Sequence, residues 1–243
     1  MIRLLRAAAL ILPVLMLSRE AGAAGFTPAQ RDEIVAIMRD ALKTDPSILR
    51  DAVAALQADE VEHNHQAARA AIAGARDELV TPADPVAGDP HGDVTIVEFF
   101  DTRCPYCRKM EPVMDSFLGQ DKKVRLVYKD LPILGPASVL GAKALLAAQK
   151  QGAYVQMRMA VMKLPPDTTL QQIEAVARSL GLDWPQLARD MEDPAIQARI
   201  DANLKLARGL GIQGTPALVI GDNLVPGALD LADLRTAVAE VRH

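Results

Sequence analysis

The chain has 243 residues, 50% of them hydrophobic and 24% charged, enough apolar material for one packed domain plus an appendage and too much for a disordered polymer. Four Phe, three Tyr, one Trp and a net charge of −4 argue against a stacking platform or a basic surface, so no nucleic-acid partner is expected. Two cysteines exclude a disulfide-stapled scaffold and leave open what the pair is for.

Residues 1–23 read as a signal peptide. Arg3 and Arg6 precede an apolar run from Ala7 to Leu17, and the small residues Ala21-Gly22-Ala23-Ala24 follow. The run contains Pro13 and is shorter than the roughly 20 residues of a membrane-spanning helix. Cleavage is expected near Ala23-Ala24, with the mature protein in the periplasm, where disulfides persist.

Residues 24–80 are expected to be a helical oligomerisation region. Thr27-Pro28-Ala29-Gln30 supplies an N-cap, a proline at N1 and a glutamine at N3. Ile34, Ile37, Met38, Ala41 and Leu42 then keep the spacing of one apolar stripe. Asp45-Pro46 ends this helix and starts a second, with Leu49, Ala52, Val53 and Leu56 on its inner face. The stripe fades between Gln57 and Gln66 and resumes at Ala68, Ala71, Ile72, Ala75 and Leu79. One helix from Pro46 to Leu79 would be about 50 Å long. Its own region is too small to cover that length, so a homo-oligomer is expected, a trimer or a dimer.

Residues 81–243 are expected to form an α/β domain. Thr81 to Asp93 carries three prolines, two glycines and three aspartates, which predicts a linker and turn. A buried strand is predicted over Val94–Phe100, followed by Cys104-Pro105-Tyr106-Cys107 and a helical pattern at Met110, Val113, Met114, Phe117 and Leu118. A second strand is predicted at Val124–Tyr128. A helical insert follows over about 132–208, with helices near 137–149, 154–163, 170–179, 184–191 and 194–208. Ala217–Ile220, a turn, a short fourth strand and a helix from Leu231 to Val241 close the chain. The order is β-α-β, insert, β-β-α.

Cys104 and Cys107 fall where a strand gives way to a helix. Free N–H groups and the helix dipole at such a start favour a thiolate, which makes Cys104 the expected nucleophile. Pro105 suits the first helical turn, and Cys107, one turn on and less exposed, suits a resolving thiol. The pair is then expected to cycle between dithiol and disulfide through a mixed disulfide with substrate. A zinc site wants about four ligands, and no second Cys pair or Cys/His pair accompanies these two. A structural disulfide here would close a loop too small to stabilise much.

Val97-Glu98-Phe99-Phe100, then Cys104-Pro105-Tyr106-Cys107, then Gly214-Thr215-Pro216 far downstream, resembles the DsbA-like thioredoxin-fold oxidoreductases. The resemblance runs from about Pro85 to the C-terminus and extends to Gly221-Asp222 and Val225-Pro226-Gly227, and the N-terminal helices resemble the ScsC-like subgroup. It implies a thioredoxin fold and exchange or isomerisation of disulfides in exported, cysteine-containing client proteins. It also implies a membrane redox partner that recharges the site and an N-terminal region that assembles dimers or trimers. By position, Pro216 matches the family's cis-proline with Thr215 before it, and Pro105, Tyr106 and Thr215 match its substrate contacts. Glu98 matches its buried acid, a proton acceptor for Cys107. Strand alternation leaves an outward-facing Glu98 as the alternative. Thr102 stands where many relatives carry an aromatic residue. No cofactor beyond the cysteine pair is expected; the alternative is a copper-binding or redox-sensitive chaperone in which the same thiolates hold Cu(I).

Other apparent motifs carry less. Gly209-Leu210-Gly211-Ile212-Gln213-Gly214 has glycines at dinucleotide-loop spacing but follows a helix and precedes a strand, the reverse of that context. His63 and His65 diverge on a helix. Met157, Met159 and Met162 read as core filling, and Trp184 as packing on the insert.

Overall fold

The computed structural model describes residues 25–242, so the expected signal peptide lies outside the described residues. The chain divides into two compact units, one ending at Ala58 and the other beginning at Asp59. In the first, α1 (Pro28–Thr44) opens on the expected capping box: Thr27 N donates to Gln30 Oε1 at 2.9 Å and Gln30 N to Thr27 Oγ1 at 3.3 Å. α1 buries none of its residues. α2 (Ser47–Gly74) starts after Asp45, whose Oδ1 accepts from Ser47 N at 3.0 Å and so takes one of the free N–H groups of the helix start.

The helix expected to run unbroken to Leu79 is interrupted. α2 stops at Gly74, Ala75 leaves helical geometry at φ −111° and ψ 14°, and a short α3 (Arg76–Leu79) follows. Glycine is a weak helix former. Tertiary packing exploits the break, since Ile72 and Leu79, on either side of it, both bury beside Val97, Phe99, Val127 and Val219.

A five-stranded sheet organises the second unit, with strands β1 (Val86–Gly88), β2 (Val94–Phe100), β3 (Val124–Asp130), β4 (Ala217–Ile220) and β5 (Asn223–Pro226) in the order β1-β3-β2-β4-β5. β2 and β3 are parallel, with Glu98 beside Tyr128, and the other pairings are antiparallel. β1 falls inside the segment predicted to be linker. With three residues it is too short to show a period, and pairing Val86 with Val127 makes it a strand.

Alternation divides β2 between two cores: Ile96 and Phe100 face the larger, Val97 and Phe99 the smaller. Over the larger core lie α4 (Pro105–Gln120), α10 (Leu231–Val241) and the first four helices of the insert, α5 (Pro136–Gln149), α6 (Tyr154–Val161), α7 (Leu170–Ser179) and α8 (Trp184–Met191). α9 (Pro194–Gly209) leads back to β4 and contributes Ile196 and Ile200 to that core and Leu206 and Ala207 to the other. Met157 and Met162 are core residues and Trp184 packs at the edge of that core, as expected, whereas Met159 is only half-buried and outside it.

The insert meets the loop after β2 at one close approach. A Cβ added to Gly141 of α5 would lie 2.5 Å from Oγ1 of the buried Thr102. Thr102 therefore faces α5 instead of solvent. Alanine normally gains about 1 kcal/mol over glycine inside a helix. At Gly141 the clash reverses the sign: Gly141→Ala should lose about 1–3 kcal/mol and lower the thermal midpoint. Adding Thr102→Ala should recover most of it. A single variant as stable as the wild type would contradict the approach.

Candidate active site

β2 ends at Phe100, and Asp101 shapes the turn that follows. Its carbonyl accepts from Cys104 N at 3.0 Å. Its carboxylate is buried and accepts from Arg103 N at 2.8 Å, Ile133 N at 2.9 Å and Leu134 N at 3.0 Å, fixing the turn to the segment after β3. Arg103 donates to the carbonyls of Leu134 and Pro166. Arg108 donates to Thr102 O at 2.8 Å and Leu164 O at 2.6 Å. Three charged side chains thus clamp the turn to two loops of the insert.

Cys104 is the N-cap of α4, with Pro105 in the first turn and its carbonyl accepting from Arg108 N at 3.1 Å. Its thiol donates to the carbonyl of Thr215 at 3.0 Å, and the Thr215–Pro216 bond is cis, with Pro216 buried. Cys107 is fully buried. Burial pushes its thiol well above the usual range; the neighbouring Glu98 carboxylate adds to this, and hydrogen bonds to the Asp101 backbone and the Thr215 side chain offset part of it. The two cysteines are unbridged. At the mouth Pro105 is exposed and Tyr106 is 64% exposed, opening on a groove of about 500 Å³ lined by Met110, Val113, Thr215 and Leu229.

Glu98 points inward, on the β2 face that carries Ile96 and Phe100, so the outward-facing alternative does not hold. Arg158 of α6 reaches both of its carboxylate oxygens through Nη2, at 3.0 and 3.1 Å, and Glu111 of α4 through Nη1. The guanidinium carbon sits 4.4 Å from the ring centroids of both Phe100 and Tyr128. The Glu98 carboxyl is raised above its ordinary value: burial is the largest cause, Arg158 offsets only part of it, and Glu111 adds to it.

Cys104, Cys107, Thr215 and Pro216 therefore come together, Pro105 and Tyr106 form the mouth, and Glu98 lies within electrostatic reach of Cys107. Sequence reasoning missed Arg158, Asp101, Arg103 and Arg108. One signal for Arg158 was present: it is the only ionisable cation in Tyr-Val-Gln-Met-Arg-Met-Ala-Val, a helix that buries Met157 and Val161 around it. A thiol at a helix start with a protonated partner thiol beside it suits nucleophilic attack followed by internal displacement. The clamp supports that geometry. Asp101→Ala should leave three half-buried or exposed N–H donors without their acceptor and cost about 1–3 kcal/mol. Denaturant titration checks this, and an unchanged midpoint would show the turn to be held without it.

Comparison with known proteins agrees with this geometry. Residues 95–239 match the DSBA-like thioredoxin domain, and residues 30–62 match the N-terminal domain of copper resistance protein ScsC. A thioredoxin-like oxidoreductase from Silicibacter pomeroyi DSS-3 is 44% identical with a TM-score of 0.66, covering 69% of this chain and 97% of its own. Proteus mirabilis ScsC in a transitional conformation is 32% identical with a TM-score of 0.65, covering 90% of this chain and 98% of its own. The Na(+)/H(+) antiporter NhaA 3 of Salinispora tropica is 28% identical over 167 residues, 66% of this chain. The chain spans about a quarter, 26%, of the length of that curated relative. The chain belongs to the DSBA-like thioredoxin domain family, in the branch that carries an ScsC N-terminal region.

Proposed function

We propose that this protein is an exported thiol–disulfide oxidoreductase that exchanges or rearranges disulfides in client proteins through Cys104 and Cys107. The observation that carries the reading is the pairing of a thiol at the start of α4, held against the Thr215 carbonyl, with a buried second thiol one turn later. The Cys104 thiolate attacks one sulfur of a client disulfide. A Cys104–client bond forms, the client S–S bond breaks, and the departing thiolate takes a proton from water. Cys107 then gives its proton to the Glu98 carboxylate and attacks Cys104 Sγ. The Cys104–Cys107 bond forms, the mixed disulfide breaks, and the second client sulfur leaves as a thiolate. The client gains two electrons and the cysteine pair loses two; run backwards, the same steps oxidise a client dithiol.

In this reading the clients are exported proteins with cysteines, received across the groove beside Tyr106, and a membrane redox partner resets the pair. Export rests on the expected signal peptide and on membership of the family. Assembly into a homo-oligomer, with the trimer favoured by the ScsC resemblance, is supported by apolar side chains exposed along the N-terminal helices. Ile37, Met38, Leu49, Val53 and Leu56 are 50–69% exposed, and the match to the ScsC N-terminal domain covers all five. Several sites on one assembly would raise the local thiol concentration around a scrambled client, which is what isomerisation needs.

A second reading, Cu(I) held by the two thiolates, takes its support from that same match to a copper resistance protein's domain. Stoichiometric Cu(I) uptake without turnover of insulin disulfides would favour it over exchange.

Two results are expected. Reduced Cys107→Ser should accumulate mixed disulfides with a scrambled, disulfide-containing client on non-reducing gels and Cys104→Ser should accumulate none; equal trapping by both would reverse or remove the assignment. Leu56→Glu places a charge on the exposed apolar face and should lower the mass measured by light scattering to that of a monomer. A wild-type chain already monomeric at micromolar concentration would end the oligomer reading and leave a monomeric oxidase.

A further inference from the structure

Arg158 belongs to none of the motifs that mark the site, yet it heads the fully buried side chains by size. Removing a guanidinium from water is expensive unless its charge and donors are met. Here the Glu98 and Glu111 carboxylates and the faces of Phe100 and Tyr128 meet the charge and the two Nη groups, while Nε is left without a hydrogen-bond partner. The sharing is unequal. Glu98 is 1% exposed and holds both oxygens on Nη2, whereas the Glu111 side chain keeps 13% of its surface in contact with solvent.

Around Glu98 the charged and titratable groups are few and can be named. α4 brings Cys107 and Glu111, with Asp115 beyond, and β3 brings Tyr128, with Asp130 hydrogen-bonded to Tyr154 of α6 at 2.8 Å. Lys163, after α6, acts on Glu111. Arg158 is the cation on the Glu98 carboxylate itself, and it comes from the helical insert, between β3 and β4, not from the strands and helix that carry the thiols.

We propose that Arg158 is a positioning residue for thiol exchange: it fixes the Glu98 carboxylate in its charged, proton-accepting form within reach of Cys107, so that the helical insert sets the pH range of the resolving step. The inference rests on the reading of Glu98 as proton acceptor given above. The proton leaving Cys107 then goes to Glu98, and Arg158 neither gains nor loses one.

The sign is fixed by the ion pair. Without Arg158 the carboxyl stays protonated to higher pH, and a protonated acid cannot accept from Cys107. Rapid mixing of the reduced full-length protein with a fluorescent peptide disulfide separates attack by Cys104 from release of the peptide by Cys107, and the second phase is followed against pH. Arg158→Met should displace the acid limb of that phase upward by about one to three pH units. Arg158→Lys keeps the charge but loses the two-nitrogen bridge from Glu98 to Glu111, and should give a smaller upward displacement. Glu111→Gln removes a competing negative charge and should displace the limb downward. A merely structural role would slow the phase at every pH with its limb in place, and that result overturns the inference. Should Arg158→Met fail to fold, the other two variants carry the test, and limbs unmoved in both overturn it. Glu98→Gln separates the two readings. A limb that survives it removes Glu98 as the acceptor and Arg158 with it; a limb lost in Glu98→Gln but unmoved in the Arg158 variants overturns the Arg158 inference alone.

Discussion

A carboxylate on the core face of a central strand is the constraint around which the second unit is arranged. Glu98 sits in β2 between Ile96 and Phe100 in the face that meets the larger core, where a lone ionised carboxylate would be untenable. Arg158 resolves this from the other side of that core, and its own charge is met by Glu111 and by two aromatic faces. Such a buried pair is a poor device for stability, because desolvation of both ions offsets most of their attraction; removing one partner alone costs about 3–5 kcal/mol. Its effect is instead to tie α6 to β2 by charge, so the insert cannot shift without exposing an uncompensated ion.

The same carboxylate differentiates the two thiols. Cys104 and Cys107 stand one turn apart at the start of α4 and both are buried, yet one caps the helix beside the Thr215 carbonyl and the other is completely enclosed within the field of Glu98. Burial and a neighbouring negative charge both hold Cys107 in its neutral form. The division of labour proposed for the pair, one thiol attacking and the other waiting with its proton, follows from that difference in surroundings. The turn that sets the spacing is fixed mainly by Asp101, Arg103 and Arg108, whose partners lie in the loops before α5 and after α6.

Much of this was legible in the sequence because it is periodic or punctuated. Continuous β-branched and aromatic residues marked β2, and its predicted bounds coincide with those observed. The helices predicted near 184–191 and 194–208 are α8 and α9, which open on Asp183 and Asp193 accepting from Gln186 N and Ala195 N. β1 was missed because three residues show no period, and the break at Ala75 was missed because a stripe of apolar residues continues across it. The site was legible at Cys104 and Cys107, whose spacing is local, and at Thr215 and Pro216 through resemblance. The partnership of Glu98 with Arg158, 60 residues apart, leaves no local pattern, and an arginine flanked by two methionines reads as helix surface until its neighbours are known. The clamp by Asp101 is hidden for the same reason: its partners are backbone N–H groups 32 and 33 residues away.

In this mechanism Cys104 and Cys107 form one two-electron couple. Equilibrating the full-length protein in a series of glutathione redox buffers, quenching with acid and counting free thiols by mass tests it most directly. A single reversible transition between a dithiol and an intramolecular Cys104–Cys107 disulfide is expected, following the two-electron Nernst slope of about 30 mV per tenfold change in ratio. Cysteines that stay free across the whole series, or that end as separate glutathione adducts with no internal disulfide, would contradict it.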